Sequence, residues 1–125
     1  MKPLYLHERI RFISHREKQI LLADFSKCSA AEVERIARAV PDYVTIKPRG
    51  SVLLLADFTD ASFDEEALRV MKESSVFDKP YIKQSAWVGA ENVPHEIEQS
   101  LKDFSRREFP SFKTRQSALD WLVKE

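Results

Sequence analysis

The sequence predicts an α/β fold: a single mixed, mainly parallel sheet of about four to five strands with about four packed helices. Three observations carry this. Val52-Leu53-Leu54-Leu55-Ala56 is an apolar run without polar alternation, which suits a strand covered on both faces. Its ending recurs, since Leu-Leu-Ala-Asp-Phe stands at Leu21–Phe25 and again at Leu54–Phe58. Each copy is followed by a polar loop and then by apolar residues at helical spacing, and a strand, helix, strand unit normally makes a right-handed crossover between parallel strands.

In chain order, Met1 to Ser14 alternates loosely, with Leu4, Leu6, Ile10 and Phe12 set among polar residues, and predicts an edge strand or two short strands. His15-Arg16-Glu17-Lys18 predicts a turn and Gln19–Phe25 a core strand. Ser29 and Glu32 fit a capping box, in which each side chain satisfies the other residue's backbone amide. Ala30, Val33, Ile36, Ala37 and Val40 then form one helical face, which Pro41 is expected to stop. After a turn at Arg49-Gly50 and the central strand, Ser62 and Glu65 suggest a second capping box. Phe63, Ala67, Val70 and Met71 give the next helix its apolar face. Tyr81–Gly89 reads as a third strand, followed by a helix with Pro94 in its first turn and Val93, Ile97, Leu101 and Phe104 at helical spacing. Phe109–Phe112 predicts a short last strand, and Thr114 caps a terminal helix bearing Ala118, Leu119 and Leu122.

Composition bounds the function. At 125 residues, with 43% hydrophobic and 32% charged residues, the chain reads as one globular domain over 1–125 able to bury a core. Lys plus Arg and Asp plus Glu each number 20, so no net field draws in nucleic acid, and none is expected as a partner. The single cysteine, Cys28, excludes an internal disulfide. The N-terminus lacks the basic-then-apolar pattern of a signal peptide, and no apolar run approaches the roughly 20 residues of a membrane span. A cytoplasmic location without a transmembrane segment is the expectation.

Ligands of open α/β sheets bind outside the carboxyl ends of the parallel strands. Those ends predict three candidate loops: Phe25–Ser29 with Ser26 and Cys28; Phe58–Glu66 with Thr59, Asp60, Ser62, Asp64, Glu65 and Glu66; and Gly89–Asn92. Asp57, Asp60, Asp64, Glu65 and Glu66 could bind a divalent cation or a basic segment, or could simply complement the positive end of a helix. Cys28 precedes a helix, where a thiol can be activated, but His7, His15 and His95 are scattered and supply no evident base. Neither a metal set nor a cofactor motif emerges. The large aromatics match core faces better than base-stacking platforms, and Lys102, Arg106, Arg107, Lys113 and Arg115 read as a solvated basic zone.

With these features in place, the chain resembles the SpoIIAA-like group of bacterial STAS-type domains, which are related in fold to CRAL-TRIO lipid-transfer domains. The resemblance rests on the Leu-Leu-Ala-Asp-Phe strand and its capped helix, on Leu54–Leu68, on Tyr81–Gly89 and on Phe109–Leu122. It implies a mixed sheet with an antiparallel N-terminal portion. It also implies a regulatory, non-enzymatic role in binding a protein partner, with a carrier of a small apolar ligand as the alternative. In anti-sigma-factor antagonists of this kind the comparable loop ends in Asp-Ser-Ser-Gly-Leu and its serine is phosphorylated. Here Asp64-Glu65-Glu66-Ala67-Leu68 takes that place, so the switch serine is replaced by fixed negative charge. A homodimer through the N-terminal edge strand is a further expectation, opposed by Arg9 and Arg11, charges of the kind that blunt edges.

Overall fold

The computed structural model describes residues 5–95, 98–99, 102–103 and 109–124. A short helix α1 (Leu6–Arg9) leads into a hairpin of β1 (Ile10–His15) and β2 (Lys18–Asp24). Then follow α2 (Ala30–Val44), β3 (Val52–Asp57), α3 (Glu65–Asp78) and β4 (Ile82–Val88), and finally β5 (Ser111–Phe112) and α4 (Arg115–Val123). The strands lie in the order β1-β2-β3-β4-β5, with β1 antiparallel to β2 and the remaining pairs parallel. This is the α/β fold with one mixed, mainly parallel sheet that the sequence predicts.

Period-two alternation divides the sheet between two cores. Leu21, Ala23, Leu54, Ala56 and Trp87 face α2 and α3, where they meet Val33, Ile36, Val40, Val70 and Met71. Ile20, Leu22, Leu53, Leu55, Ala86 and Val88 face the other way and are covered by Ala118, Leu122 and Val123 of α4. Every residue of β3 is buried, which explains its unbroken apolar run. Among the described residues, no helix is long and apolar enough to cross a membrane.

Three local expectations are corrected. The N-terminal segment contains a helical turn before its strand: β1 first pairs at Ile10 with Ala23, and β2 ends one residue later, so Tyr5–Arg9 have no ladder to join; Met1–Leu4 lie outside the described residues. Pro41 lies inside α2, which continues to Val44 because Val44 is fully buried and Tyr43 packs beside the core. The first-turn cap of α3 is Asp64, whose carboxylate accepts the Ala67 amide at 2.8 Å, and not Ser62. The Ser62 amide instead donates to the Cys28 carbonyl at 2.9 Å, and Phe63 turns in toward Phe58, so the helix starts later. The boxes at Ser29–Glu32 and the cap at Thr114 form as expected. His95 and residues 98–99 and 102–103 are helical, while Ile97, Leu101 and Phe104 of that expected face lie outside the described residues.

Candidate functional site

The duplicated Leu-Leu-Ala-Asp-Phe produces a duplicated turn. Asp24 and Asp57 are directly paired at the ends of β2 and β3. Each carboxylate folds the next residues back on itself: Asp24 Oδ1 accepts the Ser26 amide (3.0 Å) and hydroxyl (2.6 Å), and Asp57 Oδ1 accepts the Thr59 amide (3.0 Å) and hydroxyl (2.7 Å). Aspartate is suited to such turns because its short side chain reaches the amide two residues on. The following residues, Lys27 and Asp60, both have positive φ, 57° and 56°. The two loops then extend the ladder beyond the strands, as the Phe25 amide donates to Asp57 O and the Lys27 amide to Thr59 O, each at 2.8 Å. Gly89 closes the third loop against the second. Its φ is +70°, and a Cβ there would lie 2.6 Å from the Thr59 nitrogen, so only glycine fits.

Two carboxylates side by side at the carboxyl ends of neighbouring strands need positive charge, and arginines supply it. Arg115, the first residue of α4, donates from Nε to Asp57 Oδ2 at 2.6 Å and places Nη2 3.1 Å from Asp24 Oδ1. Arg9 donates to the Ser26 carbonyl at 2.9 Å and lies 3.6 Å from Asp24. Burial alone would raise the Asp24 pKa, but the Ser26 hydrogen bonds and the Arg115 charge outweigh it and hold the carboxyl below its ordinary value. Burial likewise opposes the Arg115 charge, and the two carboxylates overcome it. Where a cation could bridge Asp24 and Asp57, the guanidinium of Arg115 already sits.

Of the candidate residues, Phe25, Cys28, Phe58 and Gly89 are buried, whereas Thr59, Asp60, Ser62, Asp64, Glu65 and Glu66 are exposed; Ser26 lies between, and Asn92 ends a 3-10 turn, Ala90–Asn92. Phe25 stacks on Phe58 with ring centroids 4.8 Å apart, Trp87 meets Phe58 edge-on at 5.0 Å, and Phe109 stacks on Trp87 at 4.7 Å. These aromatics belong to the core, and they line a cavity of about 50 Å³ between the sheet and α2 and α3. Burial pushes the Cys28 thiol up to about 11, with Glu32 and Asp24 adding to the effect against Arg9. Asp64 caps α3, and Glu66 is paired with Arg69. The side chains of Asp60 and Glu65 make no hydrogen bond or ion pair within the described residues.

Arg115 and Arg9 are the residues that sequence reasoning missed. Arg115 is not part of a solvated basic zone, and Arg9 turns inward from the edge to hold the first loop. Their signal was indirect: an aspartate ending both copies of a buried strand implies a counter-cation, though not which one. No family model matches the chain, and no curated protein or solved structure shows significant similarity to it.

Proposed function

We propose that the chain is a non-enzymatic regulatory domain that recognises a basic segment of a protein partner through the exposed acidic edge of the Phe58–Glu66 loop. One observation carries this reading. The groups that could do chemistry at the carboxyl end of the sheet are occupied internally, while Asp60 and Glu65 project from a rigid loop with their carboxylates uncommitted. Cys28 is buried with a raised pKa, which opposes use as a nucleophile at neutral pH. The loop is held by the Asp57 turn below, Gly89 beside it and the Asp64 cap after it, so recognition would cost little ordering entropy. The resemblance to SpoIIAA-like domains supports the same surface, with Glu65 and Glu66 supplying permanent charge where a switch serine would stand.

The carrier of a small apolar ligand stands second. The cavity beneath Phe25, Phe58, Trp87 and Phe109 has the right lining, but at about 50 Å³ it is well below the roughly 150 Å³ that accommodates benzene in an engineered core. A ligand there would have to part the helices from the sheet.

The test is partner capture with immobilised wild type and with an Asp60→Asn/Glu65→Gln double variant of unchanged melting temperature. A partner that elutes with moderate salt from the wild type, and is retained several-fold less by the variant, is the expected result. Equal retention by the two proteins would remove the acidic edge from the binding surface.

A further inference from the structure

We propose that the opposite end of the sheet carries a binding pocket for a small organic anion with an apolar body. This inference is independent of the loop surface, which lies at the carboxyl ends of the strands. A pocket of about 370 Å³ opens at the amino end of β3, within the roughly 300–1,000 Å³ usual for small-molecule sites. Its apolar lining includes the half-buried Phe12 together with the buried Leu21, Val52 and Leu53. Lys18, Lys47 and Lys83 also line it, with Gln19 nearby and no carboxylate among the lining residues. A net charge of zero for the whole chain conceals this local concentration.

Two features show that the lysines are directed. The β3–β4 register shifts between Val52, opposite Ile82, and Leu53, opposite Gln84, so that Lys83 is an extra residue with no partner on β3. Such an insertion re-aims a side chain, and Lys83 here lines the pocket. Lys47 is steered as well: its Nζ lies 4.5 Å from the centroid of the Phe12 ring and donates to Gln19 Oε1 at 3.2 Å. Lys18 borders the pocket from the other face of the sheet, where its ammonium donates to the Val123 carbonyl at 3.2 Å.

Lys47 and Lys83 line one concavity without a carboxylate among its lining residues, and an anion bound there would relieve the repulsion between their charges. An inorganic anion would leave the half-buried Phe12 ring wet, and a neutral apolar molecule would gain nothing from the lysines. The pairing of wall and rim therefore selects a molecule with both parts, such as an aryl phosphate or an aryl carboxylate.

The experiment is a titration of the full chain with 1-naphthyl phosphate, followed by amide chemical shifts, with inorganic phosphate and 1-naphthol as separate probes. Saturable shifts are expected around Lys47–Leu53 and Lys83, with affinity at least roughly tenfold above either probe alone. Lys83→Gln, at an exposed position, should weaken binding roughly tenfold without lowering the melting temperature, and Lys47→Ala should add to the loss. Shifts centred on the aromatic cavity, equal affinity for 1-naphthol, or unchanged affinity in folded Lys83→Gln would each overturn the proposal.

Discussion

Ser26 and Thr59 show how much a single hydroxyl contributes here. Each occupies the same place after an aspartate and donates to it, and the Ser26–Asp24 contact helps hold the Asp24 pKa below its unfolded value. A carboxyl with a depressed folded pKa adds stability above the unfolded pKa, near 4, and that contribution disappears as pH falls through the folded value. Ser26→Ala raises the folded pKa toward the unfolded one. The variant should therefore be less stable at neutral pH and should lose less further stability between about pH 4 and pH 2, which narrows its difference from wild type in acid. Urea unfolding at several pH values measures this; a wild-type difference that stays constant across that range would assign the hydroxyl a role unconnected with Asp24 ionisation. The aspartates themselves were legible in the sequence as strand ends, but their arginine partners were not. Arg115 lies 58 positions from Asp57, and such a contact exists only once α4 has crossed the sheet.

At the scale of elements, the least favourable local geometry is the hairpin between β1 and β2. Arg16 and Glu17 both have positive φ, 49° and 68°, as a two-residue turn of mirror-image type demands. Side chains with a Cβ resist that conformation, and the position after the first turn residue is normally glycine. Glu17→Gly should raise stability by about 0.5–1 kcal/mol, seen as a rise of roughly 2–4 °C in melting temperature. A fall would show that Glu17 contributes through its side chain more than its backbone costs. The sequence announced a turn at His15–Lys18 from its polarity, yet polarity does not carry the sign of φ. The same limit explains Pro41 and Ser62. Proline marks a lost amide, not the burial of Tyr43 and Val44 beyond it, and Ser62 matched a capping pattern although its amide was already engaged by Cys28.

For the molecule as a whole, the strands lie in chain order, and of that order the recurring runs at Leu21–Phe25 and Leu54–Phe58 made readable the adjacent, parallel placement of β2 and β3. The asymmetry of its two faces was not readable, because apolar runs report burial without saying what covers them. On one face α2 and α3 lie over β2, β3 and β4; on the other the described cover is α4 alone, nine residues long. Helix α4 follows a two-residue edge strand and is fixed by Ala118, Leu122 and Val123 together with the polar contacts of Arg115 to Asp57 and Asp120 to His15. Stability should therefore be graded. Amides in the middle of β2, β3 and β4 can exchange only when both cores open, whereas release of α4 exposes one face and leaves the other packed. Native-state hydrogen exchange at low denaturant should show α4 opening at a lower free energy than β3, and Leu122→Ala should lower the α4 value by about 2–5 kcal/mol, or to full exposure if it begins smaller. Should α4 and β3 instead exchange with one free energy in the wild type and fall together in the variant, the two layers would form a single cooperative unit, with the Arg115 clamp binding them into it.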